Sequence, residues 1–269
     1  MAGLEVQSSH GARADLPPEV SGEQILAVAV IGAAVGLLGG LFGKGGSAIA
    51  TPLLSLVGIP PIAAVASPLP ATIPSTLSAS YAYWRERLID WRVVGWSAAV
   101  GVPATVAGAY ATRWIGGSVL VTVTEVIVLA LGVKFLLRPG DPHEVAVEPG
   151  AYRTRLFLVA ASVGVVSGLL ANSGGFLLAP MFVVVLRLSL KQSFASSLAV
   201  AAVLAVPGTI VHAALGHIDW AVVSVFAATS IPLSYVGARL AVRTQAVHLE
   251  RAYGAGLALL GTALLIAGL

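Results

Sequence analysis

The sequence has no cysteine in its 269 residues. Disulfides, iron–sulfur clusters and thiolate metal sites are therefore excluded, and cysteine usage says nothing about the redox compartment. Charge is scarce as well. Asp, Glu, Lys and Arg make up 10% of the chain, against about 25% in soluble domains. The net charge of +3 does not indicate a nucleic-acid partner, because Lys and Arg fall in short loops, where they act as topology signals. The chain lacks a Gly-x-Ser-x-Gly elbow and a His-Glu-x-x-His helix, so it offers neither the hydrolase nor the metalloprotease pattern. No enzyme activity, catalytic residue, metal or cofactor is expected. Residues 1–10 have no basic start leading into an apolar core, so they do not read as a secretory signal.

What is present is apolar. Hydrophobic residues make up 57% of the chain, with a mean hydropathy of +0.93. The bilayer is the expected solvent and helices the expected spanning element.

The chain also contains itself twice. Val35-Gly36, Gly40-Leu41, Gly46 and Pro52 return as Val163-Gly164, Gly168-Leu169, Gly174 and Pro180, each 128 positions on. After one inserted residue the spacing is 129, pairing Ala66-Ser67 with Ala195-Ser196 and Ile89-Asp90-Trp91 with Ile218-Asp219-Trp220. Pro103, Gly108-Ala109 and Gly132 likewise match Pro232, Gly237-Ala238 and Gly261. A duplicated apolar chain with a glycine-rich break in each half has the layout of a membrane transporter.

Residues 1–24 read as a polar tail, 25–138 as the first transmembrane repeat, 139–155 as a polar loop and 156–269 as the second repeat. Helical segments are expected near 25–42, 47–59, 62–84, 92–114 and 119–137, then near 156–171, 175–188, 191–214, 219–241 and 252–268. The stretches 47–59 and 175–188 fall short of the ~20 residues a crossing needs. Each half is therefore expected to open with broken or re-entrant helices, covered by protein or lining a cavity. The hydroxyls of Thr72, Ser75, Thr76 and Ser78, with Pro74, suggest that the segment carrying them is irregular and water-facing.

Equivalent loops carry opposite charge bias. Arg85, Arg87 and Arg92 follow the third segment, whereas the matching stretch from Gly216 to Trp220 has no Lys or Arg. Arg113 stands alone after the fourth segment, where its counterpart has Arg239, Arg243 and Arg251. Arg138, Arg153 and Arg155 follow the fifth, and the chain after Gly261 has none. By the positive-inside rule the halves insert in opposite directions, with both termini away from the cytoplasm. The fold class expected is an all-α polytopic membrane protein of two inverted-topology repeats, each of about five segments.

The candidate substrate-binding residues cluster at the breaks. Gly43-Lys44-Gly45-Gly46-Ser47 separates the first two segments, and Asn172-Ser173-Gly174-Gly175 occupies the matching place. Glycine lets backbone N–H groups approach a ligand. A helix starting at Ser47 or just after Gly175 aims its free N–H groups and positive dipole end at the break. Two such ends would converge on a small anion, with Lys44 adding a full charge and Asn172 and Ser173 neutral hydrogen-bonding groups. A phosphate-binding P-loop is excluded, since Leu38 and Gly45 stand where that motif needs Gly and Ser or Thr. Ser67, Ser196 and Ser197 form a second polar patch whose hydroxyls could bond either an anion or their own helix backbone. Asp90 and Asp219 are expected to cap the helices that follow, with Trp91 and Trp220 as headgroup anchors. Small-residue faces such as Gly32, Gly36 and Gly40 suit close helix packing and would permit a homodimer.

These motifs resemble the TauE/SafE family of sulfite and organosulfonate exporters. The resemblance rests on Gly36 to Pro52, Ala64-Val65-Ala66-Ser67, Gly164 to Pro180 and Phe194-Ala195-Ser196-Ser197-Leu198. It spans about residue 25 to the end. It implies transport of a small sulfur-containing anion, such as sulfite, thiosulfate or an organosulfonate, across a bacterial inner membrane. The sequence departs from the family pattern at Lys44, where a small residue is usual, and at Asn172-Ser173, where a glycine run is usual. A carrier with alternating access is the leading expectation. An anion channel, or a membrane receptor or scaffold, is the alternative. Coupling to a proton or to sodium stays open, since neither break holds an Asp or Glu.

Overall fold

The computed structural model describes residues 22–43, 47–111, 129–130, 132–137, 149–169 and 175–267. The ordered elements there are helices, and no strand occurs among the described residues. In chain order they are α1 (Gly22–Phe42), α2 (Ser47–Leu56), α3 (Pro61–Ala66), α4 (Pro68–Arg85), α5 (Trp91–Ala111), α6 (Pro149–Leu169), α7 (Gly175–Val184), α8 (Leu190–Ala214), α9 (Trp220–Arg243) and α10 (Ala246–Ala267). Residues 132–137 are also helical. Three of these helices, α1, α8 and α9, are long and apolar enough to cross a membrane. At 1.5 Å per residue, the ten residues of α2 and of α7 reach about 15 Å, half of a bilayer core.

Two helices start well upstream of the expected positions, at Pro149 rather than 156 and at Ala246 rather than 252. Hydropathy located the apolar run, but each helix begins with polar turns. Arg153 and Arg155 lie on α6, and His248, Glu250 and Arg251 on α10. Proline suits the first helical position of α6 because its missing N–H would have no intrahelical partner there. The segment at 62–84 is correct in extent but divides at Ser67, between α3 and α4.

The helix α4 is regular and inward-facing, not irregular and water-facing. It continues through Pro74, and Thr72, Ser75 and Thr76 are buried. Thr72 Oγ1 donates to the Pro68 carbonyl at 2.9 Å and Thr76 Oγ1 to that of Thr72 at 2.7 Å. Bonding back to the previous turn lets a hydroxyl sit in an apolar interior without water.

The halves interlock. Helix α1 packs mainly on α9 of the second half, and α6, its repeat partner, packs mainly on α5 of the first. Glycines make both contacts. A methyl at Gly36 would overlap the Ser230 carbonyl, and one at Gly164 would overlap Gly101, the residue repeat-related to Ser230. Gly237 meets the Leu37 carbonyl as Gly108 meets that of Val165.

Chain directions follow from the contacts. Gly36 faces Ser230 and Gly40 faces Ser234, so α1 and α9 run parallel. Ser75 bonds Ser230 at 2.9 Å, and Tyr81 stacks on Tyr235 at 6.4 Å, so α4 joins them in the same direction. Helix α8 runs the opposite way to α4: Leu69 lies beside Gly208, the start of α4 meets Asp219, and Asp90 beyond its end meets Ser196.

Candidate functional site

Each repeated Asp caps its helix. Asp90 Oδ1 accepts from the N–H groups of Arg92 at 2.9 Å and Val93 at 3.2 Å, and Asp219 Oδ1 accepts from Ala221 and Val222 at the same two distances. Trp91 and Trp220, one residue on, are both 60% exposed, as headgroup anchors should be.

Ser67 and Ser196 lie where the halves cross. Both are fully buried. Ser67 Oγ accepts the Asp219 N–H, and Ser196 Oγ accepts the Asp90 N–H, each at 3.0 Å. Each half thus holds the cap of the other.

Gly43 ends α1 at φ 66°, the left-handed conformation that suits glycine after a helix. It is pressed against the backbone of Phe194, and a Cβ there would overlap the Phe194 Cα. Ser197 Oγ donates to the Gly43 carbonyl at 2.8 Å. Of the residues expected at the site, Gly43 and Ser197 are therefore brought together. Lys44, Gly45, Gly46, Asn172, Ser173 and Gly174 lie outside the described residues. Ser47 and Gly175 are the first residues of α2 and α7.

Hydropathy and repeats did not single out the aromatic cluster beside Gly43. The Tyr253 ring lies 4.8 Å from that of Phe194, edge to face, and 5.6 Å from both Phe42 and Phe135. Phe42 is the last residue of α1, and Phe194 meets it at 6.4 Å. Tyr253 is buried, and its hydroxyl has no hydrogen-bond partner among the described residues. Ser193 Oγ, one residue before Phe194, is in the same condition. Spacing gives no warning of this, because Tyr253 and Ser193 have Thr124 and Ala64 at the repeat-related positions.

A cavity of about 20 Å³ lies between α1, α4 and α9, beside Gly36, Gly40, Thr72, Ser75, Ser230 and Ser234. It has room for about one water and is far smaller than a small-molecule pocket. Ser234 Oγ spends its proton on the carbonyls of Ser75 and Ile231, at 2.7 and 2.8 Å. These hydroxyls fasten α4 to α9.

The chain is similar to known proteins. The family model described as sulfite exporter TauE/SafE matches residues 28–264. Probable membrane transporter protein YjnA of Bacillus subtilis (strain 168) is 26% identical over 238 residues, covering 81% of this chain and 91% of its own length. A probable membrane transporter protein of Xylella fastidiosa (strain 9a5c) is 28% identical over 234 residues, covering 84% of this chain and 87% of its own. No solved structure matches. The apolar helices, the duplicated sequence pattern and a match over nearly the whole chain lead to one conclusion: the protein belongs to the TauE/SafE sulfite-exporter family, and the relatives it matches are named as probable membrane transporters.

Proposed function

We propose that the protein is a secondary transporter, working as an exporter, for a small sulfur-containing anion such as sulfite, thiosulfate or an organosulfonate. Its place is the inner membrane of a bacterium. The halves are inverted repeats that carry the anion between their two breaks and expose it to each side in turn. In this reading α4 and α8, which are repeat partners, cross the bilayer in opposite directions. Their antiparallel contacts support this, as does the shared end of α4 and α9, which carries Arg85, Arg87, Arg239 and Arg243.

The observation that carries the site is the Ser197–Gly43 bond, which ties the first break to a helix of the second half. Substrate oxygens are met by the free N–H groups of α2 and α7 at Ser47 and Gly175, and by the backbone of Gly45, Gly46 and Gly174. Lys44 supplies charge, and Asn172 and Ser173 supply neutral donors. Ser67 and Ser196 each give a lone pair to an Asp N–H. The hydroxyl proton is left over, so both keep a donor for a substrate oxygen when the halves move.

The test is equilibrium binding of sulfite, thiosulfate and sulfoacetate to the purified protein, beside Lys44→Ala. Binding of one anion that weakens at least tenfold in a folded Lys44→Ala variant is expected. Equal affinity in the variant removes Lys44 from the site, and failure of all three anions to bind folded wild type removes the substrate class.

A further inference from the structure

Four buried hydroxyls lack any partner among the described residues: Ser80, Ser97, Ser193 and Tyr253. A buried polar group left without a partner costs free energy, so each such group calls for an explanation. Two of the four lie together in the fold. Ser193 adjoins Phe194, the residue against which Gly43 is pressed, and Tyr253 packs edge to face on that same ring. Phe42, the last residue before Gly43, closes the group. Three helices distant in sequence, α1, α8 and α10, thus bring two uncommitted donors beside the first break.

The donors are one-sided. The repeat-related positions of Ser193, Phe194, Ser197 and Tyr253 are Ala64, Val65, Pro68 and Thr124. By contrast, the residues that brace the halves, Ser67 with Asp219 and Ser196 with Asp90, occur in both copies. The duplicated serines hold the joint between the halves, whereas the hydroxyls of Ser193 and Tyr253 hold nothing among the described residues.

We infer that Tyr253 and Ser193 are substrate-binding residues, donating their hydroxyl protons to an oxyanion beside Gly43, where α1 ends. The inference rests on the anion reading proposed above and adds the residues that read the anion. A phenol is a neutral donor, and its ring is held by three aromatic neighbours, so it can meet an anion with little loss of side-chain freedom. Neutral donors on rigid elements also leave binding moderate, which suits release.

The experiment compares the full-length wild type with Tyr253→Phe and Ser193→Ala, reading thermal unfolding and binding of sulfite, thiosulfate and sulfoacetate on the same samples. Tyr253→Phe keeps the ring and removes only the partnerless hydroxyl. It is expected to melt at or above the wild type, yet to bind the preferred anion at least tenfold more weakly. Ser193→Ala is expected to lose two- to fivefold with no fall in melting temperature. A Tyr253→Phe protein that binds as the wild type does overturns the inference and leaves the anion reading standing. So does one whose affinity falls only in step with a lower melting temperature. Wild type that is folded and binds none of the three anions overturns both.

Discussion

Ser67 accepts the backbone N–H of Asp219 at 3.0 Å, and its repeat partner Ser196 accepts that of Asp90 at the same distance. Each serine belongs to one half and each aspartate to the other. The pair of bonds is therefore a reciprocal clamp, set at opposite ends of α4. Any movement of one half against the other must keep both bonds or break at least one of them.

Replacing either serine by alanine leaves an aspartate N–H without its partner, at a cost of roughly 1–3 kcal/mol. The two losses are expected to be similar, because the geometry is repeated. They are also expected to add, since the 18 residues of α4 separate them by about 27 Å. Thermal unfolding of the singles and the double in detergent checks this. Singles without effect, or a double no worse than one single, contradict the clamp.

Three glycines separate backbone strain from crowding. Gly43→Ala meets both a positive φ and the Phe194 backbone, and is expected to unfold the protein or lower its stability well beyond 2 kcal/mol. Gly58 shares the positive φ, but its nearest neighbour is the flexible end of Gln24 at 3.3 Å, so alanine there is expected to cost roughly 1–2 kcal/mol. Gly95 has nothing within 4 Å, and alanine in that helix is expected to be neutral or to stabilise by up to about 1 kcal/mol. Melting temperatures in any other order contradict the packing described.

The absence of native cysteine permits a direct topology test. Glu86→Cys and Leu215→Cys mark repeat-related, exposed positions, 129 apart. Inverted halves place them on opposite sides of the membrane. A membrane-impermeant thiol reagent applied to intact cells is expected to label Leu215→Cys and to spare Glu86→Cys. Equal labelling of both contradicts inversion.

The Nδ1 atoms of His212 and His217 lie 3.2 Å apart. One must present a proton and the other a lone pair, so the contact fails once both rings are charged. Lowering the pH from 7.5 to 5 is expected to lower the hydrogen-exchange protection of residues 215–217. The first half has Leu88 in the place of His217, and His217→Leu is expected to abolish this pH dependence. Protection that is constant from pH 7.5 to 5 in the wild type contradicts the shared proton.

The legible parts of this fold were those that repeat. Equal spacing exposed the Asp caps and the tryptophan pairs, and the length of the apolar stretches exposed the short helices at 47–56 and 175–184. Interlocking was not legible, because the glycines of α1 would fit a carbonyl ridge from either half equally well. The hydroxyls of α4 misled for a local reason: Thr72 and Thr76 look hydrophilic as residues, but satisfy themselves on the preceding turn. Ser67 and Ser196 drew attention as repeated polar residues, and the bonds they make belong to the joint between halves. Tyr253 and Ser193 passed unnoticed, since a buried hydroxyl without a partner is a property of packing and leaves no pattern in the chain.

The central claim is transport of a sulfur-containing anion by alternating access. Its most direct test is counterflow in liposomes holding the purified protein, with labelled sulfite, thiosulfate or sulfoacetate outside and the same unlabelled anion inside. The account expects transient, saturable accumulation of one anion above equilibrium, abolished or much reduced by Lys44→Ala. Flux that never exceeds equilibrium and does not saturate would make the protein a channel, and no flux of any of the three would contradict the account at its root.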